Sequence, residues 1–89
     1  MSQFKLVPSS QFKRDAKKRW AELLTAEWAT VAYCLINGME MPEKCRDHEL
    51  TGNWDGFREC HIKPDLLLIY AKIEQRIELA RIGTHSELF

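Results

Sequence analysis

The spacing of apolar and polar positions changes period along this chain, and each change marks a different kind of element. Phe4 to Val7 reads as a short strand, stopped by Pro8, which has no amide hydrogen to give to a ladder. Ser9 or Ser10 then offers a hydroxyl to cap a helix. Phe12, Ala16, Arg19/Trp20 and Leu23/Leu24 follow at helical spacing, with lysines and arginines on the other side. A second helix is predicted from about Ala26 to Asn37, where Trp28, Val31, Ala32, Leu35 and Ile36 form one apolar stripe. Asn37 and Gly38 tolerate left-handed backbone geometry and end it. So little chain separates the two helices that a hairpin or a kinked pair is expected.

From Met41 onward the period shortens. Glu43 to Leu50 reads as a polar approach loop, and Gly52-Asn53 and Asp55-Gly56 are turn signals around Trp54. Phe57 to Lys63 reads as a strand, Lys63-Pro64-Asp65 as a tight turn, and Leu66 to Tyr70 as a mostly buried strand. Glu74-Gln75 turns the chain into Arg76 to Ile82, and Gly83-Thr84 opens a short carboxy-terminal segment. Strands joined this closely must run antiparallel. The expected fold is α+β: two amino-terminal helices packed on one face of a twisted antiparallel sheet of four to five strands. There are no repeats, and residues 1–89 read as a single domain.

Length and charge narrow the classes. A chain of 89 residues buries only about 60–65% of its unfolded surface, so two layers are the expected maximum. The longest apolar run, Leu66 to Ala71, falls far short of the roughly 18 residues a membrane span needs. The amino-terminus lacks the pattern of a secretory signal, and a cytoplasmic protein is expected. Cys34, Cys45 and Cys60 are an odd set without CxxC spacing, which fits reduced thiols better than a disulfide framework. Zero net charge argues against indiscriminate nucleic-acid binding. The charge is uneven, however. Met1 to Leu24 holds six basic side chains against Asp15 and Glu22, which makes either a solvated helix face or a phosphate-facing patch.

All three histidines lie beside acidic residues or turns in the carboxy-terminal half. On a strand, Glu59, His61 and Lys63 share one face while Cys60 and Ile62 take the other. With the second set in the core, Glu59 and His61 are expected on an open face, with Asp65 at its edge and His48, His85 and Phe89 supplied by other segments. Imidazoles near carboxylates suit cleavage of a phosphodiester that has a neighbouring 2′-hydroxyl, a reaction that needs no metal or cofactor. A zinc site built from His48, His61, His85 and Cys60 is the rival reading, but adjacent Cys60 and His61 cannot both face one metal from a regular strand. A cysteine nucleophile is a further rival, weakened because Cys60 should point into the core.

The run Asp47-His48-Glu49-Leu50-Thr51-Gly52-Asn53-Trp54, then Phe57 to Asp65 with His61-Ile62-Lys63-Pro64-Asp65, then Leu68-Ile69-Tyr70, and the ending Arg81-Ile82-Gly83-Thr84-His85-Ser86-Glu87-Leu88-Phe89 closely resemble the YafQ family. These are bacterial toxins of type II toxin–antitoxin modules within the RelE-like superfamily. The strong match covers roughly the second half of the chain; the first half agrees in layout, including Ser10-Gln11-Phe12-Lys13-Arg14-Asp15.

The resemblance implies a RelE-like fold and a ribosome-dependent endoribonuclease that cuts messenger RNA in the A site of the 70S ribosome. It also implies a DinJ-like antitoxin as partner, with operator DNA reached only through the antitoxin complex. The family's active-site positions fall on His48, His61, Asp65, His85 and Phe89, with Glu59 as a further acid. On that reading His48 and His85 are the proton-transfer pair, His61 and Asp65 hold the scissile phosphate and ribose, and Phe89 stacks on a base. Ribosome and RNA contacts would come from Lys13, Lys17, Lys18, Lys44, Arg46, Arg58, Lys63 and Arg81, and so weaken steeply with salt. Glu59 stands where some members carry Asp, and Leu66 where a Trp is often found. The alternative is a catalytically inactive toxin-fold protein that serves as an antitoxin-binding co-repressor.

Overall fold

The computed structural model describes residues 3–89. Its centre is the strand that the sequence marks as most apolar. Strand β4 (Leu66–Ile73) is buried from Leu66 to Ala71 because both faces of the sheet are covered there. Around it the five strands lie in the order β1-β5-β4-β3-β2, with β1 Lys5–Pro8, β2 His48–Glu49, β3 Arg58–Lys63 and β5 Arg76–Gly83. β2 to β5 pair antiparallel as expected. β1 joins the edge parallel to β5, so the sheet is mixed. The helical pair carries the chain to the far edge of the sheet, and the β3–β4–β5 meander walks back until its last strand runs with the first.

Helix α1 (Ser10–Lys18) begins at Ser9, whose hydroxyl accepts from the Phe12 amide at 2.9 Å and donates to the Ala80 carbonyl at 2.8 Å. One cap therefore also ties the helix to β5. A 3-10 turn over Trp20–Leu24 forms the kink between the helices. Helix α2 (Ala26–Asn37) starts at Thr25, whose hydroxyl accepts from the Trp28 amide, and ends at Gly38 in the left-handed region, φ 63°. A Cβ on Gly38 would also meet the Phe4 ring at 3.0 Å, so both strain and contact keep glycine there.

Two apolar clusters sandwich the sheet. The larger packs Phe12, Val31 and Leu35 of the helices on Cys60, Leu68 and Ile77. The smaller, on the opposite face, holds Leu67, Ile69, Ala80 and Leu88, bordered by Leu50, Trp54 and Phe57. A bulge in β5 opposite Ile69 and Tyr70 lets Ile77, Leu79 and Ile82 all reach the helix side although their spacing breaks alternation. The second cluster corrects one expectation: Glu59 does not stand on an open face but is 5% exposed.

Asp15 stitches α1 to β5. Its carboxylate accepts from Arg81 Nε at 2.8 Å, from an Arg81 terminal nitrogen at 3.2 Å and from the Ile82 amide at 3.1 Å. Burial alone pushes this carboxyl up, but the bonds from Arg81, Ile82 and Gln11 outweigh it and hold it below the ordinary carboxylate range. A carboxyl lowered in the fold stabilises above its unfolded pKa and loses that contribution as pH falls through the folded one. Asp15→Asn is therefore expected to cost about 1–3 kcal/mol near neutrality in urea melts, and to flatten the loss of stability below about pH 4.

Candidate active site

The register of β2 on β3 sets His48 directly opposite Glu59, and alternation along β3 puts His61 on the same side as Glu59. Both imidazoles turn to one oxygen: Glu59 Oε1 lies 3.5 Å from His48 Nε2 and 3.9 Å from His61 Nε2. The other nitrogen of His48, Nδ1, is 2.6 Å from the Arg46 carbonyl oxygen. A carbonyl only accepts, so Nδ1 donates to it, and in the neutral ring Nε2 faces Glu59 with its lone pair. Arg46 can aim its carbonyl this way because it sits in the left-handed region (φ 50°), closing the 3-10 turn Glu43–Cys45.

Between Arg46 and His48, the Asp47 carboxylate points to the helix side of the sheet. It accepts from the Tyr70 hydroxyl at 2.5 Å and from Arg58 Nε at 3.3 Å. Burial first, and then the Asp47 carboxylate, push the Tyr70 phenol up, which keeps it a donor. Pinning Asp47 to one face forces its neighbour His48 to the other. Asp47 is thus a site-building residue; in the sequence it shows only as the head of the Asp47-to-Trp54 run, just before the two-residue strand His48–Glu49.

The second group is built at the end of the chain. Helix α3 (His85–Leu88) opens with a full capping box, in which Thr84 accepts from the Glu87 amide and Glu87 Oε1 accepts from the Thr84 amide at 2.7 Å. A Cβ on Gly83 would lie 2.8 Å from that same Oε1, so any larger residue there would push the Glu87 carboxylate aside. Leu88 is buried in the smaller cluster, which lays the turn over the same face as Glu59 and His61. Asp65, in the β3–β4 turn, accepts from the His85 amide at 3.2 Å. The His85 and Phe89 rings lie 5.2 Å apart, and Phe89 is 54% exposed.

The two groups flank Leu67. His61 pairs with Leu67, and Leu67 with Gly83, so two strand spacings, about 10 Å, separate the backbones of His61 and Gly83. His48, Glu59 and His61 thus stand on one side of that leucine, and Asp65, His85 and Phe89 on the other.

The basic residues divide. Lys13, Lys17, Lys18, Lys44 and Arg46 are exposed. Lys44 and Lys63 line a hollow of about 210 Å³ with His61, and Lys18 lines another of about 260 Å³ beside Glu87. Arg58 and Arg81 are spent inside the fold: Arg58 bonds Asp47 and approaches Glu49 at 3.8 Å, and Arg81 grips Asp15. All three cysteines are buried and unpaired. Burial pushes the Cys60 thiol far up, which leaves it protonated and without nucleophilic character. Among the described residues, no three or more His, Cys, Asp or Glu side chains are grouped to hold a metal ion.

The fold is that of toxins from bacterial type II toxin–antitoxin systems. It matches a copper-bound mutant toxin from Helicobacter pylori with a TM-score of 0.87 and 36% identity, over 97% of this chain and 99% of that one. It matches a chain of the Escherichia coli DinJ-YafQ toxin–antitoxin complex with a TM-score of 0.80 and 33% identity, over 98% of each. The mRNA interferase toxin YafQ of Escherichia coli K12 is 32% identical over 84 residues, covering 91% of this chain and 90% of that protein. A family model described as the bacterial toxin of type II toxin-antitoxin system, YafQ, matches residues 4–89, and the chain belongs to that family.

Asp47→Ala removes the acceptor of two donors, one of them buried. The expected cost is about 1–3 kcal/mol in urea melts, with Asp47→Asn intermediate, and the His48 ring should become mobile in proton NMR.

Proposed function

We propose that this toxin is an endoribonuclease that cuts messenger RNA on the ribosome by metal-independent acid–base chemistry. The observation that carries the proposal is the convergence of His48 and His61 on one buried carboxylate, on the sheet face that also bears His85 and Phe89. One imidazole takes the proton of the 2′-hydroxyl, and the freed oxygen attacks the adjacent phosphorus. A second imidazole protonates the departing 5′-oxygen as the P–O bond breaks. The products are a 2′,3′-cyclic phosphate, which water can open to a 3′-phosphate, and a 5′-hydroxyl.

His48 and His85 are the proposed proton carriers. Glu59 offers negative charge to His48 when its Nε2 is protonated, and buried charge of this kind acts more strongly than in water. His61, with Lys63 and Lys44 beside it, steadies the charge that builds on phosphorus. Asp65 works through the backbone: its bond to the His85 amide holds the start of α3. Phe89 is free to stack on a base. The exposed lysines supply the ribosome and RNA contacts, with Arg46, while Arg58 and Arg81 contribute only what their internal partners leave.

The likeness to YafQ bound to DinJ supports a DinJ-like antitoxin as the partner that silences the toxin, and as the route to operator DNA. A cytoplasmic site of action follows from a ribosomal target. Among the described residues no helix is long and apolar enough to cross a membrane.

Purified protein added to ribosomes carrying a defined message should leave cyclic-phosphate ends. His85→Ala and His48→Ala should each lower the single-turnover rate about 10²–10⁴-fold. Intact wild-type protein that neither cleaves nor arrests growth would instead favour an antitoxin-binding co-repressor.

Phenanthroline, which strips transition metals and leaves the ribosome its magnesium, should not change the rate. Loss of cleavage restored by a stoichiometric metal would overturn the metal-independent mechanism.

A further inference from the structure

Helix α3 carries His85 and Phe89, yet it is a single turn of four residues. Helices shorter than about 12 residues are marginal by themselves, so its orientation must be imposed from outside. Leu88 anchors one side in the smaller cluster and Asp65 holds the first amide. The remaining hold comes from the other end of the sequence. Arg19, the residue that ends α1, donates from one terminal nitrogen to Glu87 Oε1 at 2.6 Å and from the other to Glu22 Oε1 at 3.0 Å. Its side chain is only 19% exposed, held between two carboxylates. The same Glu87 oxygen closes the capping box, so a single atom joins the turn's internal geometry to the helical layer. The Thr84 amide, and then Arg19, hold the Glu87 carboxyl below its ordinary range.

We infer that Arg19 is a positioning residue for the RNA cleavage proposed above: by gripping Glu87 it sets the angle of α3, and with it the placement of the His85 imidazole and the Phe89 ring. The inference rests on that functional reading. Arg19 acts through Glu87 and touches no reacting atom. Misplacing a catalytic group by about 1 Å can cost on the order of 10²-fold in rate, so a loosened turn is enough to matter.

The test must separate positioning from simple charge, because Arg19 is a cation that RNA would also attract. Glu87→Gln does so. Its amide oxygen still accepts from the Thr84 amide and keeps the capping box, while the charge that Arg19 grips is gone. The variant is one unit more positive, so charge alone would strengthen RNA binding. The full-length protein is assayed by cleavage of ribosome-bound message. Glu87→Gln and Arg19→Ala are each expected to lower kcat about tenfold or more, with KM within about twofold of wild type. Arg19→Lys should recover part of the loss. In proton NMR, the His85 ring signals should lose the displacement imposed by the Phe89 ring in both variants, while the melting transition stays cooperative. Cleavage by Glu87→Gln at or above the wild-type rate, with Arg19→Ala changing KM alone, would overturn the inference. Should the wild type not cleave at all, the functional reading fails separately. Unchanged His85 signals in both variants would then overturn the positioning.

Discussion

Everything in this molecule depends on burying both faces of one strand. Leu66 to Tyr70 present apolar side chains to each side of the sheet, so β4 is stable only when both sides are covered. The two amino-terminal helices cover one. A chain of this length has no second helical layer to give, and the other side is covered by short pieces: Leu50, Trp54 and Phe57 from the loop before β3, and Leu88 from the final turn. Those same pieces bring the histidines with them. His48 enters on the strand just before Leu50, and His85 precedes Leu88 by three residues. The candidate site lies on the weaker of the two hydrophobic layers because that layer is made from the segments that carry it.

Charge follows a similar economy of parts. Zero net charge hides a basic first helix, but not every cation is available. Arg58 and Arg81 each fix a segment that bears on the site: Arg58 with Asp47 sets the strand of His48, and Arg81 with Asp15 holds β5 just ahead of α3. The exposed positive surface is therefore largely lysine, a point charge on a flexible stem, suited to phosphates without a fixed geometry.

Much of this was legible in the residues. The apolar stripe from Trp28 to Ile36 and the pair Asn37-Gly38 placed α2 within its observed bounds, because local periodicity and a left-handed terminus are both local facts. The opposed faces of Cys60–Ile62 and Glu59–His61 also follow from alternation alone. The burial of Glu59 does not, since alternation says which face a residue takes and not what lies over that face. Strand β2 lies inside a stretch that reads as polar loop, because two exposed residues have no hydrophobic pattern to show. Asp47 finds Tyr70 23 positions away, and no spacing rule points across that gap. The bulge near Ala80, which brings Ile82 to the helix side with Ile77 and Leu79, is equally invisible. The Thr84-His85-Ser86-Glu87 run is different: it carries the capping signature of a helix start, and the final turn could have been read from it.

The margins of the sheet carry a consequence of their own. One outer strand has two residues and the other four, the latter ending in a proline. Long flat borders recruit further copies through their unpaired amides, and both borders here are too brief to template that growth. A chain with so little sheet border thus resists fibrous self-association by the brevity of its outermost strands.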